Sequence, residues 1–206
     1  MTKKKIIIAG FPGIGKSTAH AISSDQIADL ESSTFHWIVE KRPNGEKKVN
    51  PEWPYNYINH IKNIMSDKGA KYDKLEYILI STHKEVLQTL VDQKIPFIIV
   101  LPHTKEEFLK RYKNRGSSNS FIEQLDEHWD RYINDCGSYG MPIIMTDEYL
   151  YSILCTSFVK DWAKGKFDEI KNIDKRFNDA SLVSMDSKII CSDGTMFIFN
   201  YRTKNK

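Results

Sequence analysis

The segment Lys5–Ser17, KIIIAGFPGIGKS, constrains this chain more than any other stretch. Ile6-Ile7-Ile8-Ala9 is a short apolar run, the pattern of a parallel strand buried on both faces. It runs into Gly10-Phe11-Pro12-Gly13-Ile14-Gly15-Lys16-Ser17, a full match to G-x-x-x-x-G-K-[ST], and then into helix-compatible residues from Thr18. Strand, glycine-rich loop and helix start come in the order that a phosphate-binding P-loop requires. The glycines let backbone N–H groups turn inward around phosphate oxygens, and the helix start adds unpaired N–H donors. Lys16 is placed to reach the terminal phosphates of a nucleotide, and the Ser17 hydroxyl to hold Mg²⁺. Gly10, Pro12, Gly13, Ile14, Gly15, Lys16, Ser17 and Thr18 are therefore the expected nucleotide-binding residues. A glycine-rich turn followed by a chance Lys-Ser is the bland alternative, and the strand in front argues against it.

At 206 residues the chain has room for one α/β domain and an appendage. Its formal net charge of +3 is spread along the sequence and gives no basis for a nucleic-acid surface. Cys136, Cys155 and Cys191 form no C-x-x-C pair and read as reduced thiols. The histidines show no H-x-x-x-H spacing, so a structural zinc site is not expected. The apolar run after Lys5 is too short for a signal peptide, and no later run approaches a membrane span. A soluble cytoplasmic protein with no membrane partner is expected.

Short apolar runs alternate with helical patterns down the chain, the signature of a parallel sheet flanked by helices. A brief helix over Lys16–Ile22 precedes a second strand over Gln26–Leu30. Residues just past strand ends feed the ligand crevice of an open α/β sheet, which directs attention to Asp29-Leu30-Glu31. Alternation along a strand puts Asp29 and Glu31 on one side. One carboxylate can serve the Mg²⁺ shell and the other can accept a proton from an attacking hydroxyl; a solvated strand end is the competing reading.

Between the second and third strands lies an insert of about residues 35–68. Its rings, Phe35, Trp37, Trp53, Tyr55 and Tyr57, either build a base-stacking pocket or fill the core of a small lobe. The third strand, Tyr77–Ile80, ends at Ser81-Thr82-His83-Lys84. Thr82 and Glu85 have capping-box spacing, and His83 and Lys84 are candidate substrate contacts. No Asp stands at this strand end to hold Mg²⁺.

The fourth strand covers Pro96–Leu101, and Thr104 and Glu107 repeat the capping-box spacing. Arg111 and Arg115 share a helix face, Gly116 is a natural C-cap, and Ser120–Ile133 reads as one further boxed helix. Two arginines beside a Gly/Ser hinge fit a lid of about residues 105–135 that closes over a transferring phosphoryl group. Met141–Met145 reads as the fifth strand. Beyond residue 150, an amphipathic stretch with Leu154, Phe158 and Trp162 precedes a hairpin, Ser187–Cys191 and Thr195–Tyr201, around Ser192-Asp193-Gly194. This extension, 151–206, either packs on the core, 1–150, or makes a homodimer contact.

GFPGIGKS, the DLESS segment and the basic RYKNRG resemble P-loop kinases of the nucleoside-monophosphate-kinase type. DLESSTF, NPEWPYNYINHI, ILISTHKEV and RYKNRGSSNSFIEQLDEHWDRYI look like small P-loop proteins of bacteriophages and their hosts, described as nucleotide or nucleoside kinase-like or as ATP-binding. Over about residues 3–150, the resemblance implies a three-layer P-loop fold with a five-stranded parallel sheet of order 2-3-1-4-5. It implies ATP-Mg²⁺ as donor, Lys16 and Ser17 as the P-loop pair, Asp29 and Glu31 at a DxD position, and Arg111 and Arg115 as lid arginines. Glu31 stands where the family carries Asp.

The expected function is transfer of the ATP γ-phosphoryl group to a nucleotide or nucleoside, with Lys16, Asp29, Arg111 and Arg115 catalytic, Ser17 and Asp29 on the metal, and Glu31, Phe35, Trp37, Trp53, Tyr57, His83 and Lys84 on the acceptor. A base within DNA as acceptor is a second version that the near-neutral charge disfavours. An ATPase switch acting through the extension is the alternative from another class.

Overall fold

The computed structural model describes residues 5–39, 47–67, 69 and 72–154, together with strand backbones at 186–190 and 196–200. The first strand, β1 (Ile6–Gly10), is buried along its whole length and leads through the glycine-rich loop into α1 (Lys16–Ile22) and β2 (Ile27–Asp29). The insert holds α2 (Ser33–His36), the hairpin strands β3 (Trp37–Val39) and β4 (Lys47–Val49), and α3 (Tyr55–Ser66). The core then resumes with β5 (Tyr77–Ser81), α4 (Lys84–Asp92) and β6 (Phe97–Pro102). Three helices follow, α5 (Lys105–Asn114), α6 (Asn119–Glu127) and α7 (Trp129–Gly137). The described part closes with β7 (Ile143–Thr146), α8 (Leu150–Leu154), β8 (Asp186–Ile190) and β9 (Met196–Asn200).

β2, β5, β1, β6 and β7 pair in parallel, with Ile8 of β1 opposite Leu79 on one side and Ile98 on the other. Such strands are covered on both faces, so they read as unbroken apolar runs: Ile7, Ile8, Ile78, Leu79, Ile98 and Ile99 are inaccessible. A right-handed crossover from β1 to β2 and one from β5 to β6 run in opposite directions along the sheet, which places α1 and α4 on opposite faces. Accordingly α8 packs beside α1, and α3 beside α4.

The sheet as a whole differs from the five strands expected, because two antiparallel strands extend it beyond the parallel core. It has seven strands, β2-β5-β1-β6-β7-β9-β8, because β9 pairs antiparallel with β7 and β8 with β9. Without β9 the apolar β7 would present an unpaired ladder edge, and the hairpin removes that edge. The proposed hairpin turn at 192–194, Phe158, Trp162, Cys155 and Cys191 lie outside the described residues, as does the loop 40–46.

Three capping expectations are corrected. Thr82 and Thr104 cap nothing: α4 and α5 have no side-chain cap bond, and the Thr104 hydroxyl is bonded instead to the Asp147 carboxylate. The cap of α6 is Ser118, whose Oγ accepts from Phe121 N, not Ser120. The helix expected over Ser120–Ile133 is broken at His128, which separates α6 from α7. Gly116, at φ 76, ends α5 as expected, with Ser117 N donating back to the Tyr112 carbonyl.

Candidate functional site

All five parallel strands point the same way, so their C-terminal ends gather at one edge of the sheet, and the chemistry-bearing residues collect there. The glycine-rich loop is held to that edge from below by Phe11 and Ile14, both buried, so Ile14 offers a ligand only its backbone. Phe11 N donates to the Val100 carbonyl, and Leu150 N donates to that of Ile14. Gly13 (φ 82) and Gly15 (φ 99) sit in the left-handed region that only glycine adopts cheaply. A side chain on Gly13 would also collide with Tyr112, whose hydroxyl donates to the Pro12 carbonyl from α5. The loop crest is thereby tied to the arginine-bearing helix.

Gly13, Gly15, Lys16, Ser17 and Thr18 line one side of a cavity of about 530 Å³. Asp29 and Glu31 enter it from the end of β2, so the two carboxylates share a side as the strand alternation predicts. Arg111 and Arg115 enter from α5. Three segments far apart in sequence thus bring three cations and two carboxylates onto one glycine-rich loop. A cavity with that lining can hold a chain of phosphates and offset their charge.

Lys16 Nζ folds back to donate to the Gly10 carbonyl at 2.8 Å and is 3.4 Å from that of Phe11. Gly10 therefore acts behind the cavity, through its carbonyl. Burial pulls the Lys16 pKa down to about 8; Asp29 and Glu31 oppose that fall, and Arg115 adds to it. The Ser17 hydroxyl donates to Asp29 Oδ2 at 2.9 Å. Among the described residues no group of three or more His, Cys, Asp or Glu converges. Two adjacent hard oxygens nevertheless suit a magnesium ion, which commonly takes one or two protein ligands and fills its shell with phosphate and water.

Arg111 lies between the Phe108 and Tyr149 rings, with centroids 4.7 and 4.9 Å from its guanidinium carbon, and donates to the Asp147 carbonyl. Its Nη1 is buried with no protein partner. Arg115 lies over Tyr112. Sequence reasoning missed Tyr149, which lines the cavity, and Asp147, whose carboxylate takes two hydrogen bonds from Thr104 and faces His103 at 3.5 Å. Both stand just past β7, where the strand-end rule that singled out Asp29 would have found them.

The ring cluster of the insert behaves differently from the expectation. Tyr57 is fully buried and its hydroxyl donates to the Leu30 carbonyl, so its assignment as an acceptor contact is corrected: the ring is a floor under Trp53, 5.7 Å away. Phe35 packs on Tyr57 and His60 as part of the same lobe. Trp37, His36 and Trp53 form a stack at 4.3 and 4.6 Å, and His83 meets His36 and Trp53 edge-on. His36, at the centre of that stack, had no sequence signal beyond its aromatic neighbours. Burial first, then the neighbouring His36, holds the His83 pKa below its ordinary value; Glu85 opposes that shift, Lys16 adds to it and Glu31 opposes it more weakly.

A second cavity, about 470 Å³, lies on the other flank of the loop, between Phe11-Pro12, the β5–α4 junction with Ser81, Thr82, His83 and Lys84, and helices α6 and α7. Phe35, Trp37, Trp53 and Tyr57 line neither of these two cavities. No helix among the described residues is long and apolar enough to cross a membrane. No protein-family model matches the chain, and no curated protein matches it.

Proposed function

We propose that this chain is an ATP-dependent phosphotransferase of the P-loop kinase kind, acting on a small nucleotide-like acceptor. One observation carries the reading: the glycine-rich loop with Lys16 and Ser17, the acids Asp29 and Glu31, and the arginines Arg111 and Arg115 line a single cavity. The parallel core β2-β5-β1-β6-β7, with the loop after its central strand, supports the P-loop kinase fold.

In this reading loop N–H groups and Lys16 hold the donor phosphates. Ser17 and Asp29 would hold Mg²⁺, which when bound offsets phosphate charge. An acceptor oxygen attacks the γ-phosphorus, the bond to the β,γ-bridging oxygen breaks, and ADP leaves with that electron pair. Glu31 takes the acceptor proton if the acceptor is a hydroxyl, and Arg111 and Arg115 offset charge on the phosphoryl group in flight. Positioning and electrostatics are most of what such a transfer asks of a protein.

The test is incubation with γ-labelled ATP, Mg²⁺ and a panel of nucleosides and nucleoside monophosphates. Label in an acceptor with wild type, and none with Lys16→Met, supports the reading. Label released only as inorganic phosphate would move the assignment to an ATPase.

A further inference from the structure

The cavity beside the β5–α4 junction shares no lining residue with the donor cavity, yet the two meet at the same loop. Phe11 and Pro12 close one end of it, whereas Gly13, Gly15 and Lys16 face the donor side. Its volume, about 470 Å³, falls within the range of small-molecule sites. Just past the end of α7, the Tyr139 hydroxyl is 3.4 Å from the Lys84 carbonyl, which links that end of the helix to the start of α4.

Two features of the walls point to an occupant. Phe121 on α6 and Tyr132 on α7 both line the cavity and stay 41% and 37% exposed, so part of each ring is open although Phe121 also meets Tyr112 edge-on and Tyr132 meets His128. Such rings accept a planar ring by stacking. Arg131 and Asp135 stand one turn apart on α7, 3.9 Å from each other, and both line the cavity. Side by side they offer N–H donors and carboxylate acceptors, the mixed set that a heterocyclic base edge demands. Toward the loop the lining changes to the Ser81 and Thr82 hydroxyls and His83, groups suited to sugar hydroxyls. Lys84 is the cation at that end, without the arginine fork that a phosphate dianion favours.

We infer that the acceptor binds in this cavity, between the end of β5 and helices α6 and α7, and that it is a nucleoside: a base held by Arg131 and Asp135 between Phe121 and Tyr132, with its sugar hydroxyl toward the loop. The assignment rests on the phosphotransferase reading and replaces the ring cluster of the insert as the acceptor site. The hydroxyl oxygen then bonds to the γ-phosphorus as ADP departs, and its proton passes to Glu31 or to His83.

Calorimetric titration of the full chain, without ATP, tests the site directly. At least one deoxynucleoside should bind, and about tenfold more tightly than its 5′-monophosphate. Arg131→Gln and Asp135→Asn, at side chains 76% and 50% exposed and so harmless to folding, should each weaken that nucleoside by about tenfold or more and change the ranking of bases. Trp37→Ala should leave nucleoside binding unchanged. Absence of nucleoside binding, tighter monophosphates, or a loss seen only with Trp37→Ala would overturn the assignment. A parallel titration with ATP-Mg²⁺ separates the two claims. ATP binding without nucleoside binding removes this site and spares the phosphotransferase reading; nucleoside binding without ATP binding does the reverse.

Discussion

Ser17, the first-turn hydroxyl of α1, and Asp29, the last residue of β2, are joined by a hydrogen bond of 2.9 Å. The bond ties the glycine-rich loop to a strand that is not its neighbour in the sheet, since β5 lies between β1 and β2. It also sets a charged oxygen beside a neutral one at the mouth of the cavity. The end of β5 carries no acid, so in the proposed function Asp29 would take the metal-binding duty that P-loop NTPases give to an Asp on a different strand.

Asp29→Asn keeps an oxygen that can accept from Ser17 but removes the charge. The chain should unfold at nearly the wild-type temperature, while the Mg²⁺ concentration for half-maximal transfer rises about tenfold or more. Magnesium titrations of initial rate check this, with Ser17→Ala giving a change in the same direction.

Lys16 gives a pH dependence. Burial brings its pKa down to about 8, so in the proposed function it would meet phosphate as a full cation only below that value. ATP affinity should be flat up to about pH 7.5 and then fall by as much as tenfold per unit as pH rises through 8. Lys16→Met should bind weakly and lack that step. The stability sign is opposite. Between pH 8 and 10.5 the unfolded chain holds more protons on this group than the folded one, so its contribution to stability rises with pH across that window.

Gly13 and Gly116 make a matched pair. Both have positive φ, but a methyl on Gly13 meets the Tyr112 ring, whereas nothing lies within 4 Å of one on Gly116. Gly116→Ala should cost about 1 kcal/mol through backbone strain alone. Gly13→Ala should cost about 1–3 kcal/mol and also weaken ATP binding, because the loop crest must part from Tyr112. Denaturant unfolding and ATP titration of both variants separate strain from collision.

What was legible in the sequence was local. β1, the loop and α1 could be read because glycine spacing and an apolar run dictate them within a dozen residues, and Asp29 and Glu31 followed from strand alternation. Thr104 was misread because its spacing to Glu107 satisfies a local rule, while its actual partner is a carboxylate 43 residues away on the loop after β7. Tyr57 was misread for the same kind of reason. Its helical spacing fitted both a core position and a ring platform, and only its contact with Leu30 decides for the core. The pairing of β9 with β7 joins segments that no periodicity connects.

Asp147 anchors the loop that carries Tyr149 and Arg111's backbone partner. Burial pushes its carboxyl upward, but the hydrogen bonds from Thr104 and the nearby His103 outweigh it and hold the group below its ordinary value. Its stabilisation is therefore present above pH 4 and lost as pH falls through the lowered value. Asp147→Asn should cost about 1 kcal/mol at pH 7, and the gap to wild type should close in acid. Thermal unfolding of both proteins across that range checks the sign.

Phosphorus NMR of the full chain with ATP, Mg²⁺ and a mixture of deoxynucleosides distinguishes phosphoryl transfer from hydrolysis in one experiment. ADP resonances should grow in step with a new phosphomonoester resonance, and neither should grow with Lys16→Met. Growth of inorganic phosphate alone, or equal rates in wild type and Lys16→Met, would contradict the proposed transfer.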